Sequence, residues 1–314
     1  MQRVVSRIAL SLFFLGAFCA RSGAQSLPDL VKGLGIRELA RDYLRPGADA
    51  IGYSINSGLF HTAHIDSGVN LWVGLRGVWT MIPESDKTFN ALLPPSLTSL
   101  GYPASIATAT VFGEKGAVLH SPNLDPGGTP YPDIPLPDGS GISNTFLLIP
   151  HATLGSLLAT EVMVRGLPPV TYDPALPKIS FFGIGVRHSP TRYIRLPIDI
   201  AFMAAIQEFN IGETIHAQAL SANVHASIPL AIIEAYAGAG YESYAINASY
   251  TYTPSDPTLP AGLRVPQTIA LDFKRVNFRF TVGLNLILIP LIDINAEYSF
   301  GVQDNVTIGA GLRL

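Results

Sequence analysis

The residues that most constrain this chain are its last ones, IDINAEYSFGVQDNVTIGAGLRL at 292–314. Ile292, Ile294, Ala296, Tyr298, Phe300 and Val302 alternate with Asp293, Asn295, Glu297, Ser299 and Gly301. A strand sends the two sets to opposite faces, whereas a helix would scramble them. After Gln303, Asp304 and Asn305, which suit a tight turn, the pattern resumes with Val306, Ile308, Ala310, Leu312 and Leu314 opposite Thr307, Gly309, Gly311 and Arg313. One apolar face and one charged or hydrogen-bonding face fit either a sandwich sheet over a core or a barrel wall in lipid.

Composition chooses between these. Charged residues make up 14% of the chain, against about 25% in ordinary soluble domains, too few to cover a globule of this size. The first residues carry Arg3 and Arg7, an apolar run from Ile8 to Ala20, and the small residues Ser22, Gly23 and Ala24 before Gln25. That order predicts a secretory signal at 1–24 cut after Ala24; Phe18 is too bulky for a lipidation site at Cys19. Beyond it no apolar stretch reaches the roughly 18 residues of a spanning helix. A charge-poor exported chain without such a helix fits a closed barrel whose outer wall meets lipid.

Cleavage would remove Arg3, Arg7 and Arg21 and no acidic residue, taking the net charge from -3 to -6. A nucleic-acid partner is therefore not expected. Cys19 is the sole cysteine, so the mature chain is expected to have no disulfide, thiol nucleophile or cysteine metal site.

Along the chain, Ile36, Leu39, Ala40, Tyr43 and Leu44 fall at helical spacing and Arg45-Pro46-Gly47 stops the run. The expected domains are the signal at 1–24, a helical segment at 25–48 that plugs the lumen or packs on the barrel rim, and a barrel at 49–314. Ile51, Tyr53 and Ile55 read as a first strand, and Val69, Leu71, Val73, Leu75, Gly77, Trp79 and Met81 as a second. Further strands are expected near 105–119, 144–153, 158–168, 178–189, 195–210, 213–228, 231–252 and 267–288. With the two C-terminal strands the fold class is an all-β, transmembrane, antiparallel up-and-down β-barrel of about 12 strands (10–14). The links at 61–67, 120–143, 169–177, 211–212, 253–266 and 303–305 fall on one side, the shorter ones at 154–157, 190–194, 229–230 and 289–291 on the other, with 83–104 as an exception. Tyr241, Tyr244, Tyr250 and Tyr252, with Trp72 and Trp79, are expected near the lipid–water boundary.

The segments LARDYLRPGADAIGYSINSGLFHTAHI at 39–65, IPESDKTFN at 82–90, LLATEVMVRGLPP at 157–169 and GIGVRHSPTRYIRLPIDIA at 183–201 resemble an uncharacterised family of Gram-negative outer-membrane barrel proteins. The resemblance implies fold and membrane and names no cargo.

No catalytic constellation stands out. His61 and His64 lack an evident third ligand and read as exposed loop histidines; Arg187, His188 and Ser189 lack a nucleophile elbow; Gly238 and Gly240 read as small residues easing strand packing rather than a phosphate loop. No enzyme activity, metal or cofactor is expected. The polar face of Asn277, Arg279, Asp293, Asn295, Glu297 and Arg313 should point into the lumen, mostly as structural pairs. The expected location is the bacterial outer membrane and the expected role a passive or substrate-specific channel for small or hydrophobic molecules, with a closed structural or surface-interaction barrel as the alternative. The expected partners are outer-membrane lipid, the barrel-insertion machinery at the C-terminal strand, and a small-molecule cargo.

Overall fold

The structure, a computed structural model, describes residues 37–171, 177–194, 196–252, 267–289 and 291–314. The signal at 1–24, the start of the helical segment and the loop at 253–266 lie outside them. A helix, α1 (Arg37–Ile55), comes first, then the strand β1 (Asn70–Met81). An insertion follows with β2 (Thr88–Leu92), α2 (Pro95–Thr98), β3 (Ser105–Ala109), β4 (Val118–Leu119) and β5 (Ile134–Pro135). The remaining strands are β6 (Asn144–Leu157), β7 (Thr160–Val170), β8 (Ile179–His188), β9 (Asp199–Ile211), β10 (Ile215–Leu230), β11 (Ile233–Tyr252), β12 (Gln267–Ile289), β13 (Ile292–Phe300) and β14 (Asn305–Arg313).

β1 and β6 to β14 close an antiparallel barrel of ten strands, each beside its chain neighbour, with β14 returning to β1. At that seam Leu71 and Leu314 exchange backbone hydrogen bonds of 3.0 and 2.7 Å, so the sheet has no free edge. The count sits at the lower end of the expected range because two expected strands are not in the wall. Residues 51–55 are the end of α1, and 105–119 belongs to the insertion, where β3 pairs with β2 and β4 with β5.

The alternation sorts the wall as the sequence implies. Val276, Phe278, Phe280, Val282, Leu284 and Leu288 on β12 and Ile308 and Leu312 on β14 are exposed on the outside. Arg279, Thr281 and Asn285, with Asp293, Asn295 and Glu297 on β13, are buried inside. From Val276 to Leu288 the outer apolar strip runs about 40 Å along the strand at roughly 3.4 Å per residue, or about 30 Å in height with strands tilted by about 40°. On the next row beyond Val276 the outward residues turn polar, with Glu208, Gln218 and Lys274 in adjoining register around Ala245. Among the described residues no helix is long and apolar enough to cross a membrane.

The two barrel ends differ. One carries short links at 158–159 and 231–232 and the strand ends His188, Asp199, Ile289 and Ile292, and receives the 56–69 segment; the other carries 82–143, 212–214 and 301–304 and the strand ends Val170, Ile179, Tyr252 and Gln267. Two expected placements change here. The 61–67 link enters β1 from the short-turn end, and 83–104 is not an exception, since all of 82–143 forms one insertion at the long-loop end. That insertion has its own core of Ala91, Leu93, Leu97, Tyr102, Leu119 and Leu136, closed against Leu39 of α1.

α1 extends past the expected stop. It runs through Pro46 to Ile55, although proline removes one helical hydrogen bond; Gln303 Nε2 donates to the Pro46 carbonyl (3.4 Å) from the link between β13 and β14. The wall itself begins at Asn70 rather than at 49. The helix ends inside the barrel, where Tyr53 and Ile55 pack with Phe181, Phe209, Ile211, Tyr244, Ile246, Leu271 and Phe273.

Candidate functional site

The lumen is filled by the chain's own residues 37–66, which descend from the long-loop end to the short-turn end. The filling has two storeys, set by which inward residues the strands supply. The upper storey is mostly apolar, with one buried acid, Asp49, paired to Arg275 of β12 (3.1 Å): Ala48, Tyr53 and Ile55 of α1 sit among Leu147 and Ile149 of β6, Ile179 and Phe181 of β8 and Phe209 of β9. Helix and wall approach closely at Gly52, since a Cβ there would lie 2.2 Å from the Tyr244 ring.

In the lower storey an extended segment is held by charged side chains of the wall. Arg279 ion-pairs with Glu242 on the adjacent strand (2.9 Å), donates to the Tyr53 carbonyl (3.1 Å) and reaches Ser57 Oγ. Arg165 donates to the Ser57 carbonyl (2.8 Å). Glu297 accepts the Gly58 N–H (3.0 Å) and the Tyr236 hydroxyl (3.2 Å). Gly58 has φ +65, a left-handed conformation suited to glycine. Gln207 Nε2 donates to Asn56 Oδ1 (2.8 Å).

Further down, Arg187 bonds Glu161 and the Thr62 carbonyl, while the Thr62 hydroxyl donates to Glu234. Arg76, fully buried, reaches Asn295 and lies 2.6 Å from His61 Nδ1. Trp72 donates its indole N–H to Asp293 (2.8 Å), which also faces His61 (3.8 Å) and Arg313 (3.6 Å). Below these, a cavity of about 160 Å³ opens at the short-turn mouth between His64, Glu161, Arg187, Glu234 and Arg313, and ends against His61 and Trp72.

His64 ties the foot of the segment. Its Nδ1 is 3.0 Å from Asp199 and its Nε2 is 3.4 Å from Asp66. The hydrogen bond to Asp66, then that to Asp199, raises its pKa from the usual 6.5 to about 9, and the same bond lowers that of Asp66. The imidazole is therefore a cation at neutral pH.

The arrangement orients and clamps: the wall acids face arginines, an indole N–H or donors of the plug, and among the described residues no group of three or more His, Cys, Asp or Glu is placed to hold a metal ion. The chain matches a family of unknown function, DUF6588, along residues 1–314. It belongs to this family.

No curated protein matches the DUF6588 chain in sequence. In structure it is similar to the N-terminal β-barrel domain of Pseudomonas aeruginosa OprF, at 11% identity over 50% of this chain and 98% of that one, TM-score 0.27. It is also similar to the outer-membrane protease OmpT from Escherichia coli (11% identity, 82% and 98% covered, TM-score 0.32). A third similar structure is the Ralstonia pickettii toluene transporter TbuX (7% identity, 83% and 92% covered, TM-score 0.28).

The six expected lumen residues of this DUF6588 member all lie on the inner face. Arg279 and Glu297 contact the plug, Asn295 and Asp293 hold Arg76, Trp72 and His61, and Arg313 joins Asp293 and Asp66 at the mouth. Asn277 Nδ2 donates to Glu242 (3.4 Å). Sequence reasoning missed Arg76, Glu161, Arg165, Arg187, Glu234 and Glu242; their signal was charge confined to one alternating face of an apolar strand, as with Glu161 and Arg165 in Glu161-Val162-Met163-Val164-Arg165.

Three expectations are corrected. His61 is 4% exposed and inside the lumen, because the segment carrying it is threaded rather than looped out. Trp72 and Tyr244 face inward, where Asp293 and Asp49 accept their polar hydrogens. Trp79 pairs outside with Phe146 (ring centroids 4.5 Å) and Tyr241 with Phe278 (6.2 Å); the side chains of Tyr250 and Tyr252 lie outside the described residues. Gly238 leaves room for Phe60 of the plug, since a Cβ there would lie 2.7 Å from its ring.

Proposed function

We propose that this chain is a bacterial outer-membrane barrel, exported by a cleavable signal at 1–24 and inserted through β14, which rests closed and passes small or hydrophobic molecules when its plug rearranges. The outer apolar strip has a bilayer's height, and the long loops gather at one end, as in outer-membrane barrels whose long loops face outward. On this reading the short-turn mouth opens to the periplasm. The role is transport, with no enzymatic step.

The observation that carries the reading is that a separate segment of chain, residues 37–66, closes the lumen. Wall side chains alone can fill a small barrel; a plug drawn from outside the wall is an element that can shift while the wall stays hydrogen-bonded. A passive open pore is disfavoured by the same observation. The density of clamps in the lower storey favours the second reading, a permanently closed structural barrel.

Two measurements test this. A barrel extracted from the outer-membrane fraction should change gel mobility between unheated and boiled samples, and a protein recovered soluble from the periplasm would end the membrane reading. In planar bilayers the wild type should be silent and a plug-displacing variant, Gly52→Val, should conduct. Steady conductance by the wild type would refute the resting closure, and silence of both would favour the structural barrel.

A further inference from the structure

Two prolines interrupt one seam of the wall, that between β6 and β7. β6 pairs with β1 along Asn144–Gly155, but its register with β7 ends at His151↔Arg165, so residues 144–150 of β6 have no paired residue on the β7 side among the described residues. The cause lies in the backbone. The Leu71 N–H points to β14, so the N–H groups of odd β1 residues face β14 and those of even residues face β6. Leu75, partner of Pro150, thus donates away from β6, which makes the nitrogen of Pro150 the one that should donate to β7.

The alternation, continued through Ala152↔Val164, makes the nitrogen of Pro168 the one that should donate back to β6. Both are proline and have no N–H. The next two rungs, Pro150 with Gly166 and Leu148 with Pro168, therefore each lack a donor. β7 instead leans on β8: a Cβ on Gly166 would lie 2.7 Å from the Phe181 carbonyl oxygen, and the β7–β8 register shifts between Leu167 and Val170.

What lies behind this seam is apolar. Leu147 and Ile149 of β6, Ile179 and Phe181 of β8 and, packed against them, Leu167 of β7 belong to the upper storey together with Ile55 and Ile51 of α1. On this side charge begins one level lower, at Arg165, whose guanidinium stands 5.5 Å from the Phe181 ring; Asp49 of α1 is engaged by Tyr244 of β11 and Arg275 of β12. On the outer face the seam is flanked by Pro150, Leu148 and Pro168, all uncharged.

We infer that the seam between residues 144–150 of β6 and 166–170 of β7 is a side door, through which small uncharged hydrocarbon-rich molecules pass between the outer leaflet and the apolar upper storey. The inference rests on the transport reading above and names its substrate class and route. Opening a fully paired seam such as β1–β14 would strip backbone groups of partners in hydrocarbon, at several kcal/mol each; here the paired ladder has already ended, and proline has removed the donors of its next two rungs. Polar or charged cargo is not served, because the door leads to Ile149, Leu167 and Phe181 and not to the arginine-lined lower storey.

The test measures entry of the hydrophobic fluorophore 1-N-phenylnaphthylamine into intact cells, compared with cells lacking the chain. Leu148→Cys and Pro168→Cys are introduced together and bridged with a bismaleimide; the only native cysteine is Cys19, in the segment expected to be cleaved. A second pair, Val73→Cys and Leu312→Cys, bridges facing residues in the fully paired seam between β1 and β14. The wild type, the unbridged pairs and the bridged control should all accelerate entry, while bridging 148 to 168 should return it to the level of cells lacking the chain. Unchanged entry after that bridge, with an active wild type, overturns the side door and leaves the transport reading standing. No acceleration by the wild type overturns both. As a second variant, Pro150→Thr/Pro168→Thr restores both donors; slowed entry together with new hydrogen-exchange protection at 150 and 168 supports the door, and protection with unchanged entry overturns it.

Discussion

Arg279 and Glu242 meet at 2.9 Å across β11 and β12, and the same guanidinium reaches the plug at the Tyr53 carbonyl. Wall and plug thus share one buried cation. Removing one partner of such a pair costs about 3–5 kcal/mol because the other charge is left uncompensated. Glu242→Gln should lower the unfolding free energy in detergent by that amount, read as a lower denaturation midpoint, and make the segment around Ser57 sensitive to added protease. A midpoint unchanged from wild type would mean that water already compensates Arg279.

Gly58 should tolerate no side chain. Its φ of +65 and the 3.0 Å approach that a Cβ would make to Thr307 Cγ2 set a backbone cost of roughly 1–2 kcal/mol for an L residue. Gly58→Ala is expected to weaken the N–H bond to Glu297, read as faster amide exchange at residues 57–59 with the wall strands unaffected.

The rim contact at His64 gives the plug a pH dependence of known sign. Its folded pKa, raised to about 9 from 6.5, means that the stabilisation is fully present below about 6.5 and disappears as pH rises through 9. Half the side chain is exposed, so the effect should be modest. Protease cleavage near residues 60–66 should accelerate between pH 8 and pH 10, and His64→Ala should cleave at the fast rate throughout. A His64→Ala variant that keeps the wild-type pH profile would assign the dependence elsewhere.

The two tryptophans report opposite faces. Trp72 is 4% exposed and bonded to Asp293 inside, while Trp79 packs against Phe146 outside, the rings tilted at 43°. In vesicles containing brominated lipid, Trp79 emission should be quenched and Trp72 emission spared, so Trp79→Phe should retain little lipid quenching. Strong quenching of Trp79→Phe would invert the facing of β1.

The C-terminal strands were legible because each obeys one simple rule, apolar outside and polar inside, for its whole length. The first seventy residues were not, for the opposite physical reason. Ile51, Tyr53 and Ile55 satisfy a period of two by coincidence, and a helix surrounded by wall on several sides loses the one-sided stripe that marks surface helices. Pro46 read as a stop, but a helix clasped by a barrel can keep its course through a proline. The inward charges of β6 to β11 were visible as alternation, whereas their common target, the segment 56–66, depends on threading that no local pattern records. The prolines at 150 and 168 were visible too, but their meaning depends on which way each nitrogen points, and only the register supplies that.

α1 starts at the long-loop end and the chain enters β1 from the opposite end, so the polypeptide runs through a ring formed by its own later residues. The ring is fastened where the first and last strands meet, at Leu71 and Leu314. Either it is fastened around the thread or the thread is drawn through afterwards, hauling a helix past Trp72, Arg76 and Arg165. The first route keeps every buried charge partnered as it forms, which makes closure and stoppering a single event and leaves no vacant ring along the way.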